Sequence, residues 1–159
     1  MIQKIKPFLW FDKQAEDAAK FYVSIFKNSK ILHVERYPEG GPAPAGSAMI
    51  VSFELEGLQF VGLNAGPQFK FTEAISFAVT TENQEETDYL WNKLTADGGK
   101  ESDCGWLKDK FGLSWQITPR ALMDLLSSPD KQKAARVMQS MMTMKKIDIA
   151  ALQRAAAQQ

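Results

Sequence analysis

Twice along its 159 residues the chain runs through the same order of signals: a short apolar strand, an amphipathic helix, then three more strands. Residues 5–11, IKPFLWF, form an apolar run of buried-strand type that stops at Asp12. In residues 14–28 the apolar positions Ala15, Ala18, Ala19, Tyr22, Ile25 and Phe26 recur at helical spacing and predict one buried stripe, ended by Asn28-Ser29. Three strands follow, SKILHVERYP, SAMIVSFELEG and LQFVGLNAG, the last two joined as a hairpin at Glu56-Gly57. Between the first two lies EGGPAPAG, residues 39–46, a Gly/Pro loop with few side chains to pack and the composition of a mobile segment. The order then recurs. AISFAVTT is a strand with Ile75, Phe77 and Val79 on one face and Ala74, Ser76 and Ala78 on the other. A helix follows that buries Thr87, Leu90, Trp91 and Leu94 and stops at Gly98-Gly99. Residues 100–118 supply up to three short strands, with DKFG as the turn before the last.

Residues 5–64 and 74–118 therefore each read β-α-β-β-β, a duplication of pattern and not of residue identity. The fold class is α+β, with paired βαβββ modules over residues 1–119 and a helical tail over 120–159. In the tail Ser128 is read as an N-cap with Pro129 at the first helical position, and Ala134, Val137, Met138 and Met141 as an apolar stripe. Asp148 caps a last helix that frays at AAAQQ. The tail methionines, Met123, Met138, Met141, Met142 and Met144, read as a stripe covering the core or a dimer contact.

Composition excludes several function classes. The chain carries 19 basic and 19 acidic residues, so no excess of Lys and Arg is available for phosphate backbones. No apolar run approaches the roughly 20 residues that span a bilayer, and the N-terminus has no signal-peptide pattern. With one cysteine no internal disulfide forms, which fits a reducing cytoplasm. With one histidine, His33, a His-rich or Cys/His metal site and a separate Ser-His-Asp triad are excluded. Only a carboxylate-dominated metal site, or a site without metal, is left. No GxGxxG follows a strand, which argues against a nucleotide-type cofactor pocket; no cofactor is expected.

The strings FLWFDKQAEDAAKFY, LNAGP, FKFTEAISF and CGWLKDKFGLSWQITP, set in two βαβββ units, resemble the vicinal oxygen chelate (glyoxalase/bleomycin-resistance) superfamily. Within it the chain resembles the PhnB-like branch, whose label is 3-demethylubiquinone-9 3-methyltransferase-like. The resemblance runs from about Ile5 to about Pro119. It implies two modules that curl their strands into half-barrels, helices on the convex face, a cup for a small ligand on the concave one, and a homodimer. Metal-dependent members hold one divalent ion on four ligands from the first and fourth strands of each module. Those positions fall here on Ile5, Phe60, Ala74 and Gln116, none of them ionisable, so the family metal is not expected. The methyltransferase label is a family name, and that activity is not expected either.

Alternation from Gln116 points Ser114 and Thr118 into the cup and Leu113, Trp115 and Ile117 under the helices. The same reasoning points Ala74, Ser76 and Ala78, then Phe60, Gly62 and Asn64, inward. Phe60, Asn64, Ser76, Trp106, Ser114, Gln116 and Thr118 are thus the expected lining of a metal-free site for a small, partly polar organic molecule. The alternatives are a cup filled by its own side chains, or an enzyme whose polar groups come from Cys104, Lys108, Asn64 and Gln116. A reactive Cys104 needs a neighbouring cation, and Lys108 shares its face if both lie in one strand. A lone cysteine is more often a small buried apolar group. Trp10, Tyr22, Phe26 and Trp91 fall at core spacings.

Overall fold

Pro7 sets where the first strand begins. It has no N–H to give a ladder, and its carbonyl accepts the first inter-strand bond, from Val61 N at 3.0 Å. In the computed structural model, which describes residues 2–158, strand β1 accordingly spans Phe8–Phe11 and not residues 5–11, and Ile5 stands 88% exposed before it. The chain falls into two units, Met1–Phe71 and Thr72–Gln159.

In the first unit β1 is followed by α1 (Ala15–Ile25), β2 (Lys30–Arg36), β3 (Ala48–Leu55) and β4 (Leu58–Asn64). The four strands form an open mixed sheet in the order β1-β4-β3-β2, with β1 parallel to β4 and the other pairs antiparallel. Glu56 and Gly57 both take positive φ, 47° and 85°, the conformation of a type I′ turn, which locks β3 to β4 as a two-residue hairpin. Helix α1 buries Ala15, Ala18, Ala19, Tyr22 and Ile25. Its small residues bring it close to the sheet: a Cβ on Gly62 would lie 3.1 Å from Ala15 Cβ. Beneath it, Tyr22, Phe53 and Phe60 stack in series at centroid distances of 6.1 and 5.4 Å.

The second unit repeats the plan with β5 (Ser76–Thr81), α2 (Gln84–Thr95), β6 (Lys100–Glu101), β7 (Trp106–Lys108) and β8 (Ser114–Pro119). The order is again edge strand, last strand, third, second, β5-β8-β7-β6, with β5 parallel to β8. Helix α2 buries the expected Thr87, Leu90, Trp91 and Leu94 and is capped by Asn83, whose side chain accepts from Glu86 N. It ends at Thr95 and tightens into a 3-10 turn, Ala96–Gly98, before the glycine pair releases the chain. Under α2 lie Leu107, Trp115 and Ile117, each at most 2% exposed.

The tail forms α3 (Arg120–Leu126), α4 (Lys131–Met141) and α5 (Ile149–Ala157) around Leu122, Val137, Ile147 and Leu152. Two expectations here are corrected. Asp130, not Ser128, caps α4, because its carboxylate accepts from both Gln132 N and Lys133 N. Met138 is 48% exposed, so the buried stripe of α4 narrows to Val137 with partial help from Met141. Asp148 caps α5 through Ala151 N, and Arg136 donates to the carbonyls of Ala155 and Ala156 at its far end. The tail is tied to the second module. Gln84 donates to Ile147 O (3.0 Å) and accepts from Ile149 N (2.8 Å), and Lys146 pairs with Asp88 (2.8 Å). No helix among the described residues is long and apolar enough to cross a membrane.

Candidate functional site

Pairing in the second sheet sorts its side chains into two faces. Phe77, Val79 and Thr81 of β5, Trp115 and Ile117 of β8 and Leu107 of β7 share the face of α2, where Thr81 and Thr87 join hydroxyls at 2.6 Å. The other face carries Ser76, Ala78 and Thr80, then Ser114, Gln116 and Thr118, then Trp106 and Lys108, then Lys100. Gln116 Nε2 donates to Ser76 Oγ at 2.8 Å across the parallel β5/β8 pair. Ser114, its neighbour along β8, is 1% exposed, and its hydroxyl has no hydrogen-bond partner among the described residues. A buried hydroxyl without a partner is uncommon, because removing it from water is then uncompensated. Lys108 reaches out of β7 to form an ion pair with Glu73 from the turn before β5. The ammonium beside Glu73 holds that carboxyl below the usual glutamate range.

What keeps this face in place is a buried carboxylate at the hairpin between β7 and β8. Asp109, 3% exposed, accepts from Phe111 N (2.8 Å) and Leu113 N (3.1 Å) with one oxygen and from Trp115 Nε1 (2.9 Å) with the other. The turn DKFG closes through Gly112 N to Asp109 O at 2.9 Å, with Gly112 at φ 87°. The turn therefore fixes both the strand register and the indole under α2.

Of the expected lining residues, the structure thus gathers Ser76, Trp106, Ser114, Gln116 and Thr118 on one face of one sheet. Phe60 and Asn64 are not on the corresponding face of the first sheet. Phe60 is in the aromatic stack beneath α1. Asn64, 7% exposed, ties the start of α1 to the sheet, accepting from Ala15 N (2.8 Å) and donating to Ala48 O (3.0 Å). Its amide lines a different cavity, a pocket of about 770 Å³ bordered by Asp12, Glu16, Arg36, Tyr37 and the Pro42–Pro44 stretch. There Arg36 is engaged by Glu16 and by Gly46 O.

Cys104 does not share a strand with Lys108. It sits at φ 57° in the turn before β7, half-buried, and its N–H donates to Met144 O at 2.8 Å. Gly105 follows at φ 82°, with its N–H on Lys145 O. The Cys104-Gly105 turn is thus the place where the α4–α5 connection docks. His33 is exposed on β2.

The positions aligned with the family's metal ligands do not form a donor set. Three of the four expected positions are corrected: Ile5 precedes β1, Phe60 faces α1 and Ala74 lies in the turn before β5. The faces turned from the helices carry Phe8 and Trp10 of β1, Gln59, Val61 and Leu63 of β4, Ser76, Ala78 and Thr80 of β5, and Ser114, Gln116 and Thr118 of β8, with no His, Cys, Asp or Glu among them. Among the described residues no three His, Cys, Asp or Glu side chains cluster so as to hold a metal ion. The residues present do not fit the family metal.

Two βαβββ units, each with its fourth strand parallel to its first, give the α+β paired-module architecture expected from the resemblance. Residues 3–118 match the model of the 3-demethylubiquinone-9 3-methyltransferase family, and the chain belongs to that family. A PhnB protein from Bacillus cereus is 39% identical, with 74% of this chain and 99% of that one covered at a TM-score of 0.68. Protein PA1353 from Pseudomonas aeruginosa has the same fold at 17% identity, over 74% of this chain and 98% of its own, with a TM-score of 0.62. A Staphylococcus aureus protein is 30% identical over 74% of this chain and 96% of that one, at a TM-score of 0.35. Among curated proteins none matches.

Proposed function

We propose that the chain binds a small organic molecule on the face of the second sheet turned away from α2, without the metal used by metal-dependent relatives. The observation that carries this reading is the Gln116–Ser76 hydrogen bond beside the unpartnered, buried hydroxyl of Ser114. Together these place an amide, two hydroxyls and the half-buried indole of Trp106 on one side of four strands. Such a mixture of few polar groups and an aromatic surface suits a partly polar ligand of modest size. The family name describes a methyltransferase. Both sheets here are mixed, four-stranded and open, and neither is the doubly wound parallel sheet that commonly carries a nucleotide-type cofactor; binding is the better-supported reading. A cytoplasmic homodimer is part of the same proposal. In the first unit Ile2, Ile5 and Phe8, 84%, 88% and 58% exposed, run along and before the edge strand β1, an apolar edge that a second copy would cover.

A thermal-shift screen of small organic acids, amides and aromatics tests the binding reading. Hits are expected to raise Tm equally with and without EDTA, and Gln116→Ala is expected to remove the shift while leaving the unliganded Tm within a few degrees. A shift that vanishes in EDTA, or that survives in Gln116→Ala and Ser114→Ala alike, would contradict it.

A further inference from the structure

The same face has a charge bias that narrows its ligand. Strand pairing sets Lys100 opposite Lys108, Lys108 opposite Ser114, and Ser114 opposite Ser76, a single row that crosses all four strands. No strand position on this face carries a carboxylate. The acid that reaches the row is Glu73, and it comes from the turn outside the sheet.

Counting donors shows what the row lacks. Ser76 Oγ accepts from Gln116, which leaves its own proton to give. The Ser114 hydroxyl has no partner. Lys108 offers three N–H donors, and Lys100 adds three more. Glu73 is 62% exposed and Lys108 36% exposed, so their pair is of the weak, solvent-screened kind. An incoming anion that could also accept from neighbouring hydroxyls would displace it.

We propose that this row binds the oxyanion of the ligand, a carboxylate or a phosphate, with Glu73 as the internal counter-ion it displaces and Trp106 in the adjoining row receiving the ligand's apolar body. The proposal rests on the binding reading above and adds the ligand's charge. Trp106 pairs with Gln116, one step along from the Lys108–Ser114 pair, so ring and anion sites are neighbours on the same face.

Four compounds of similar size test it: phenylacetate, phenyl phosphate, phenylacetamide and phenethylamine, each titrated into the full chain and followed by amide and indole NMR shifts. Both anions are expected to move resonances of Trp106, Lys108, Ser114 and Gln116, with the neutral amide about tenfold weaker and the amine inert. Glu73→Gln removes the competing carboxylate and is expected to tighten anion binding about threefold, whereas Lys108→Met should remove the preference for anions over the amide. Thermal unfolding of both variants checks that they are folded. Equal affinity for amide and carboxylate, or anion affinity unchanged in Glu73→Gln, would overturn the oxyanion assignment while leaving the face as a binding site. If none of the four moves these resonances, the binding reading fails with it.

Discussion

Asp109 is the residue on which the candidate site most depends without belonging to it. Itself 3% exposed, it holds two backbone N–H groups of the turn with one oxygen and the indole of Trp115 with the other. Truncation removes the acceptor that these three groups share, so Asp109→Ala is expected to lower stability by roughly 2–4 kcal/mol, measured by urea unfolding. An unchanged midpoint would show that the turn holds itself. At this scale the sequence was informative where a residue's type restricts its role. Gln116 could be assigned to the face away from the helices because alternation in β8 is unambiguous: Trp115 and Ile117 mark one face and Gln116 and Thr118 the other. Two things stayed hidden. Glu73 could not be matched to Lys108, because the residues lie 35 apart and only folding brings them together. That Ser114 would be buried without a partner is likewise a property of packing, not of spacing.

The elements show where pattern reading succeeds and where it slips. Both helices bury the residues their 3.6-residue period predicts. Strand β4 was assigned the wrong face. Phe60, Val61 and Gly62 are all buried, so hydrophobicity does not alternate there and cannot tell one side from the other. Gly62, expected to point into the cup, instead makes room for Ala15 of α1. A usable signal did exist across the hairpin. The two-residue turn at Glu56-Gly57 sets Glu54 opposite Gln59 and Phe53 opposite Phe60, which puts Phe60 on the apolar side. A Cβ at Gly105 would lie 2.9 Å from Ile117 O in a backbone at φ 82°, so Gly105→Ala should cost about 1–3 kcal/mol in chemical unfolding. Gln84→Ala removes both bonds that hold the start of α5 to α2. Hydrogen exchange is expected to accelerate in residues 145–152 while β8 remains protected; unchanged exchange there would show that the Lys146–Asp88 pair, the Cys104-Gly105 turn and packing hold the tail without Gln84.

For the whole molecule, the duplicated βαβββ order was legible because each module repeats the same switch from strand to helix to strand. The division between units, at Phe71 and Thr72, falls in the gap between the modules read over residues 5–64 and 74–118, where Gly66-Pro67 interrupts the strand pattern. Four carboxylates, Glu16, Glu73, Glu82 and Asp88, are held below their ordinary range, chiefly by hydrogen bonds from Arg36, Lys108, Arg120 and Lys146 respectively. A carboxyl lowered on folding stabilises the native state above its unfolded value and loses that contribution as pH falls through the folded one. Tm should therefore decline as pH is lowered from about 5 toward about 3, and added salt should reduce the dependence because the pairs are exposed. A Tm that rose on acidification would contradict these pairings. A face of the second sheet is proposed to bind a small molecule without metal. The most direct measurement is NMR shift mapping of the full chain with phenylacetate in EDTA. Shifts are expected to concentrate on Trp106, Ser114 and Gln116; shifts confined to the pocket around Asn64 and Tyr37, or none until a divalent metal is added, would rule the proposal out.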